Sequence, residues 1–261
     1  MSFLRRHLVM IVALLVLAYL FVPIAYTVAF SFNDAGRSNL TWQGFTTANW
    51  TDPCGAPEVC TALGNSLKIG LLATLGSTLL GTMVAFALAR HRFRGRAGTN
   101  LLVFLPMATP EVVLGASLLA MFLNLRLQPG FWTVVIAHVM FCVSFVVVTV
   151  KARLAGLDPR LEQAAMDLYA DEWQTFRRVT LPLAAPGILA AALLAFSLSF
   201  DDFIITNFNS GNVTTFPKFV YVSATRGIPA QANVIGTAML VVALLVVGAG
   251  QLLSARRRRA G

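Results

Sequence analysis

The sequence predicts an all-α integral membrane protein with six spans, on three observations. Hydrophobic residues make up 57% of the 261-residue chain and charged residues only 12%. A soluble domain carries about 25% charged residues, because its surface must be wetted. The apolar residues gather into six stretches long enough to cross a bilayer, which takes about 20 residues of helix. The basic residues gather at alternate ends of those stretches, as topology signals do. A soluble enzyme, a disordered chain and a secreted disulfide scaffold are excluded together.

The spans are residues 8–32, 66–89, 101–125, 131–150, 187–208 and 233–253. The first is longer than the apolar core of a cleaved signal peptide and has no small-residue cleavage site, so it reads as a retained helix. Arg5 and Arg6 precede span 1, and Arg90, Arg92, Arg94 and Arg96 join spans 2 and 3. Lys151, Arg153, Arg160, Arg177 and Arg178 lie between spans 4 and 5, and Arg256 to Arg259 end the chain. Fifteen of 20 basic residues thus fall on alternate loops; only Arg37, Lys68, Arg126, Lys218 and Arg226 lie elsewhere. Basic loops stay in the cytoplasm. Both termini are therefore expected there, with residues 33–64 and 209–232 outside. Trp42, Trp50 and Trp132 fall near the outer boundaries, where indole favours the interface or simply packs a loop.

The net charge of +9 invites a nucleic-acid reading, but the charge flanks apolar runs and forms no basic, aromatic-studded surface. No nucleic-acid partner is expected. Cys54 and Cys60 share one outer loop, where a disulfide and two free thiols both remain open. Cys142 lies in an apolar run. No phosphate-binding glycine loop, metal pattern or Ser/His/Asp motif is visible, so no cofactor, metal or catalytic residue is expected. His138, alone inside span 4, reads as a helix–helix hydrogen-bonding residue.

Residues 151–182 hold ten of the chain's 31 charged residues and cannot span a membrane. Asp158-Pro159 is a helix start, with Asp as cap and Pro in the first turn. Leu161, Ala164, Ala165, Leu168, Tyr169, Trp173 and Phe176 then fall at offsets 0, 3, 4, 7, 8, 12 and 15, one face of a helix. Glu162, Asp167 and Asp171 lie off that stripe. An amphipathic helix over 161–176 is the expectation, with Pro182 and Pro186 breaking the chain before span 5.

Leu161-Glu162-Gln163-Ala164-Ala165-Met166-Asp167-Leu168-Tyr169-Ala170, running on to Val179-Thr180-Leu181-Pro182, resembles the EAA loop of bacterial ABC importer permeases. The nine-residue gap before Val179 and the Leu-Pro pair are kept. Gln163 takes the place of Glu and Tyr169 the place of Gly. Three further stretches are similar to spermidine/putrescine permeases: Pro110 to Leu119, Phe196 to Thr206, and Thr214 to Pro217 with Tyr221-Val222-Ser223. The resemblance implies a type I ABC importer permease fold, with residues 1–261 as one transmembrane domain and 158–182 as the coupling segment. It assigns ATPase coupling to Glu162, Gln163, Ala164, Ala165, Asp167, Leu168 and Tyr169. It implies as partners a second homologous permease chain, two ATPase subunits and an extracytoplasmic binding protein, in the bacterial cytoplasmic membrane. The chain itself would not be an enzyme.

The residues carry their own evidence about substrate. Glu111, Asp201 and Asp202 lie inside spans, and no Lys or Arg lies at comparable depth. A carboxylate at the bilayer centre costs about 2.5–3.5 kcal/mol, so it must face a cavity, a partner or a cation. On a continuous helix Asp202 shares a face with Ser199, Thr206 and Asn209, and Asp201 is turned about 100° away. The expected substrate pathway is therefore Asp202, Asp201, Glu111, Ser199 and Thr206, with Asp202 preferred over Asp201. Asp202 is expected nearer the outside and Glu111 nearer the middle. A capping role for the aspartates remains open. So does the alternative of a stand-alone cation channel or secondary carrier, which would not need the amphipathic segment.

Overall fold

The computed structural model describes residues 2–36 and 38–259, with side chains described for 7–36 and 38–250. Arg37 lies outside the described residues. Every regular element among those described is helical: α1 (Ser2–Phe30), α2 (Ala48–Thr51), α3 (Val59–Arg90), α4 (Arg96–Ala108), α5 (Glu111–Asn124), α6 (Phe131–Ala155), α7 (Arg160–Asp167), α8 (Glu172–Thr175), a π-helical turn (Phe176–Thr180), α9 (Leu181–Asp201), α10 (Ile204–Asn209), α11 (Phe216–Arg226) and α12 (Ala230–Arg259). Among the described residues five helical stretches are long and apolar enough to cross a membrane, and there are six if the bent pair α4–α5 is counted as one span.

The chain divides into two compact units. In the first, residues up to Cys60 join those from Phe219 onward. Its α1 and α12 pair, and Thr237 donates to the Thr27 carbonyl at 3.4 Å. The loop after α1 is organised by two buried asparagines. Asn33 donates to Asn39 Oδ1 at 2.6 Å and to the Thr41 carbonyl at 2.8 Å. Asn39 donates to the last carbonyl of α1, that of Phe30, at 2.7 Å. Trp50 stacks on Phe32 and Trp42 meets Phe30 edge-on, so both indoles pack the loop. Cys54 and Cys60 are disulfide-bonded.

In the second unit, residues 61–218, α6 is the buried spine. Val134, Ala137, Cys142, Val146 and Val150 are fully enclosed. α3 approaches α6 closely because Gly81 faces Val146; a Cβ there would lie 2.7 Å from the valine side chain. Small residues are how helices approach each other in lipid.

The third span is not straight. α4 and α5 meet at 108° across Thr109-Pro110. Pro110 lacks an N–H and holds Thr109 extended, at ψ 132°. The pair still traverses the unit. Lys151, near the end of α6, donates to Asn100 in the second turn of α4 at 2.7 Å, whereas α5 ends six residues before α6 begins. Taken together, the bent pair stands where the third span was expected.

Span 5 departs from expectation at both ends. Pro182 and Pro186 do not break the chain: Pro182 falls in the first turn of α9, where no N–H is needed, and Pro186 is accommodated inside it. Beside Pro186, Arg153 donates to the Leu183 carbonyl at 2.8 and 3.1 Å. At the far end α9 stops at Asp201, because Asp202 turns extended at ψ 125°, and 204–209 form the separate α10.

Candidate functional site

The breaks in spans 3 and 5 meet at one place. Glu111 opens α5 and Asp201 closes α9; both are exposed. With Asp202, Phe141, Leu198, Phe203 and Ile204 they line a cleft of about 300 Å³. All three intramembrane acids thus border one cleft, and no Lys or Arg is among its lining residues.

Asp202 is engaged differently from its neighbour. Its Oδ2 accepts from the Thr206 N–H at 2.8 Å and the Thr206 hydroxyl at 2.9 Å, and its Oδ1 from the Ile205 N–H at 3.3 Å. It therefore caps α10, where a carboxylate satisfies otherwise orphaned N–H groups. The continuous-helix face that grouped Asp202 with Ser199 and Thr206 does not exist, because the helix ends between them. The three residues are nevertheless joined, by His138. Its Nδ1 lies 2.7 Å from Ser199 Oγ, and its Nε2 lies 3.2 Å from Asp202 Oδ2 and 3.0 Å from Thr206 Oγ1. One ring on α6 ties the last turn of α9 to the first turn of α10. An ionised carboxylate only accepts, so Nε2 is the donor, and in a neutral ring Nδ1 accepts from Ser199.

The fold thereby assembles a Ser/His/Asp set that no sequence spacing announced. It is not hydrolytic machinery. The ring is 1% exposed and Ser199 4%, and neither borders the cleft, so no acyl group can reach the hydroxyl. Among the described residues no group of three His, Cys, Asp or Glu is placed to hold a metal.

Opposite charges hold α10 at its two ends. Lys218 donates to Ser210 Oγ at 2.7 Å and to the Gly211 carbonyl at 3.1 Å, just past its last residue. Burial pushes the Lys218 ammonium below the ordinary lysine value. Asn209 donates to the Gly115 carbonyl at 3.2 Å, locking α10 to α5. Gly115 makes that contact feasible, since a Cβ would lie 2.9 Å from Phe208.

The second candidate region is the polar segment between α6 and α9. Asp158 accepts from the Arg160 N–H at 2.9 Å and starts α7. The expected single helix over 161–176 is broken. α7 ends at Asp167, and Tyr169 adopts φ +63°. Its N–H bonds the Met166 carbonyl at 3.0 Å and the Ala170 N–H bonds the Ala165 carbonyl at 3.1 Å. These two bonds form a Schellman turn, whose left-handed residue is usually glycine. Tyr in that conformation costs about 1–2 kcal/mol. The apolar stripe is therefore split. Leu161, Leu168, Tyr169 and Trp173 are exposed, and Phe176 turns back to meet Phe86 of α3 with ring centroids 5.3 Å apart.

Gln163, Ala164 and Asp167 are exposed, and Ala165 is half-buried. Glu162 is engaged within the chain, paired with Arg90 at the end of α3 and accepting from Thr180 at 2.7 Å. This tie braces the segment against the end of one span and the start of another. Arg90 as a partner was not legible in the sequence, since 72 residues separate it from Glu162.

Apolar helices, two of the spans broken, and a braced polar segment fit a membrane permease, and its relatives place the chain among those of the ABC importer type. Solved structures agree on the fold. A bacterial ABC transporter that imports the acidic polysaccharide alginate aligns over 94% of this chain and 96% of its own, with a TM-score of 0.66 at 16% identity. Residues 77–259 match the family described as binding-protein-dependent transport system inner membrane component. The spermidine/putrescine transport system permease protein PotC of Escherichia coli K12 is 37% identical over 238 residues, covering 91% of this chain and 90% of that protein. The putrescine permease PotI of the same organism is 35% identical, covering 88% and 84%. The chain belongs to the family of binding-protein-dependent transport system inner membrane components. It is a multi-pass inner-membrane transport subunit of a multi-component importer, and ATP hydrolysis belongs to a separate subunit.

Proposed function

We propose that this chain is the permease subunit through which an ATP-driven importer moves a cationic polyamine, of the spermidine/putrescine class, into the cytoplasm. The observation that carries the reading is the cleft where Glu111, Asp201 and Asp202 converge without a basic residue. In low-dielectric surroundings such a lining attracts ammonium groups and repels anions. The similarity to PotC and PotI supports the same substrate class. Asp201 and Glu111, both exposed, present charge to the substrate. Asp202 holds the break that shapes the cleft, and Ser199 and Thr206 act through His138 rather than by contact.

The importer would pair this chain with a second homologous permease, on two ATPase subunits, and receive substrate from an extracytoplasmic binding protein. Residues 1–261 act as one transmembrane domain with both termini cytoplasmic. ATP binding draws the ATPase pair together, and residues 158–182 transmit that movement to the spans. ATP and its hydrolysis products thereby bias one two-state element. The cleft is tested in reconstituted importer by Asp201→Asn and Glu111→Gln. Both should lower polyamine transport per assembled complex at least tenfold for Asp201 and less for Glu111, with assembly unchanged. Parental transport by both variants would remove the acids from the path.

A further inference from the structure

Lys151 is held by a neutral partner. Its ammonium donates to Asn100 Oδ1 at 2.7 Å, and the Asn100 amide nitrogen donates to the Arg96 carbonyl at 3.0 Å. Asn100 therefore fixes the ammonium without cancelling its charge. Among the described residues no carboxylate lies within ion-pair distance of Lys151, and neither α4 nor α6 contains an acid. Asp158, three residues past α6, is the first acid along the chain, and its Oδ1 accepts from the Arg160 N–H at 2.9 Å. An ammonium has three donors and Asn100 takes one.

The ammonium borders an apolar groove. Val103 and Phe104 of α4 and Val147 and Val148 of α6 wall a space of about 290 Å³ between the two helices, with Asn100 and Lys151 as its polar members. Phe104, Leu101 and Leu105 are exposed, so no other part of the described chain covers this side of α4. An uncovered apolar surface on a span meets acyl chains. α4 begins at Arg96 and α6 ends at Ala155, so the polar members lie within about a turn of the same end of both helices, where lipid headgroups begin. Arg96, one turn before Asn100 on the same face of α4, adds a second positive charge there. In the topology proposed above this end faces the cytoplasmic leaflet, whose surface potential is negative because its lipids are anionic.

We propose that the groove between α4 and α6 is a binding site for one anionic phospholipid, an acyl chain lying along its apolar walls and the phosphate meeting Lys151. The two parts of the site match the two parts of that molecule. A zwitterionic lipid fills the groove as well but brings its own cation, so it gains less from the ammonium. The bound lipid bridges α4 to α6 and so supports the bent third span from its outer side.

The test uses the full importer, co-expressed and reconstituted in nanodiscs of phosphatidylcholine. A trace of phosphatidylglycerol or of phosphatidylcholine, each with the same photoreactive acyl chain, is added, and crosslinks to α4 and α6 are quantified by peptide mass spectrometry. Both leaflets carry the probe, so the result does not depend on which side Lys151 faces. In the parent, phosphatidylglycerol should label residues 103–104 and 147–148 at least about fivefold more than phosphatidylcholine. Lys151→Gln keeps a donor for Asn100 and removes the charge, so the two probes should then label within about twofold of each other. Lys151→Arg should keep the parental preference. Equal labelling by the two probes in the parent, or an unchanged preference in Lys151→Gln, would overturn the proposal. A fall in labelling by both probes alike in Lys151→Gln would make Lys151 a structural residue and overturn it too. Labelling of other surfaces but not of the groove would mean that a protein partner covers it, with the same consequence. Displacement of the probe by inorganic phosphate, at ionic strength matched with chloride, would mean that the site takes an anion without the chain, and the lipid reading would fall.

Discussion

Asp202→Asn separates a structural carboxylate from a substrate-facing one. The native carboxylate accepts from the Ile205 N–H, the Thr206 N–H, the Thr206 hydroxyl and His138 Nε2. An asparagine has one acceptor oxygen. If that oxygen takes the crowded Oδ2 position, the amide NH₂ faces the Ile205 N–H, and a buried donor loses its partner. Such an orphan costs about 1–3 kcal/mol, and the bonds that remain lose the strengthening a charge gave them. The opposite orientation orphans three donors and is worse. A loss of about 2–4 kcal/mol follows, concentrated at the α9–α10 break. Asp201→Asn, on an exposed residue, should change stability by no more than about 0.5 kcal/mol. The assay is the yield and denaturant resistance of the assembled importer in nanodiscs, with polyamine transport measured per assembled complex. Asp202→Asn should lose assembly or resistance, and Asp201→Asn should lose transport alone. An Asp202→Asn importer as resistant as the parent would refute the capping argument.

Gly81→Ala places a Cβ 2.7 Å from Val146 and should cost about 1–3 kcal/mol by forcing α3 from α6, read as a lower unfolding temperature. The Cys54–Cys60 bridge closes a short loop. Cys54→Ser should therefore remove about 2 kcal/mol of chain-entropy stabilisation, and intact parental protein should take up alkylating reagent at these positions only after reduction. Single cysteines at Arg37 and Arg94, in a background lacking the native three, should label from outside at 37 and not at 94; external labelling at 94 would reverse the topology.

Composition and charge order were enough to read an integral membrane protein; the importer class rested on the resemblance carried by residues 161–182 and the stretches similar to polyamine permeases. Apolar runs must enter lipid, because water cannot wet them, and basic flanks must stay outside it; neither fact needs a fold. The sequence also singled out Glu111, Asp201 and Asp202, since a carboxylate in a span is costly wherever its helix points. It read Asp158 as a helix start because capping is local chemistry. What it missed depended on where chains stop being regular. Helical periodicity assigned Asp202 to a face, but that arithmetic fails when the helix ends one residue earlier, as it does at Asp201. The same arithmetic ran one helix through Tyr169, where the backbone takes φ +63°. Pro110 bends its span and Pro186 does not break its own, a difference that a missing N–H by itself does not announce. The tie of His138 to Ser199, Asp202 and Thr206, and of Arg90 to Glu162, joins residues 61 to 72 positions apart. Only tertiary packing brings such residues within hydrogen-bond reach, because these bonds form across helices and leave no period along any one of them.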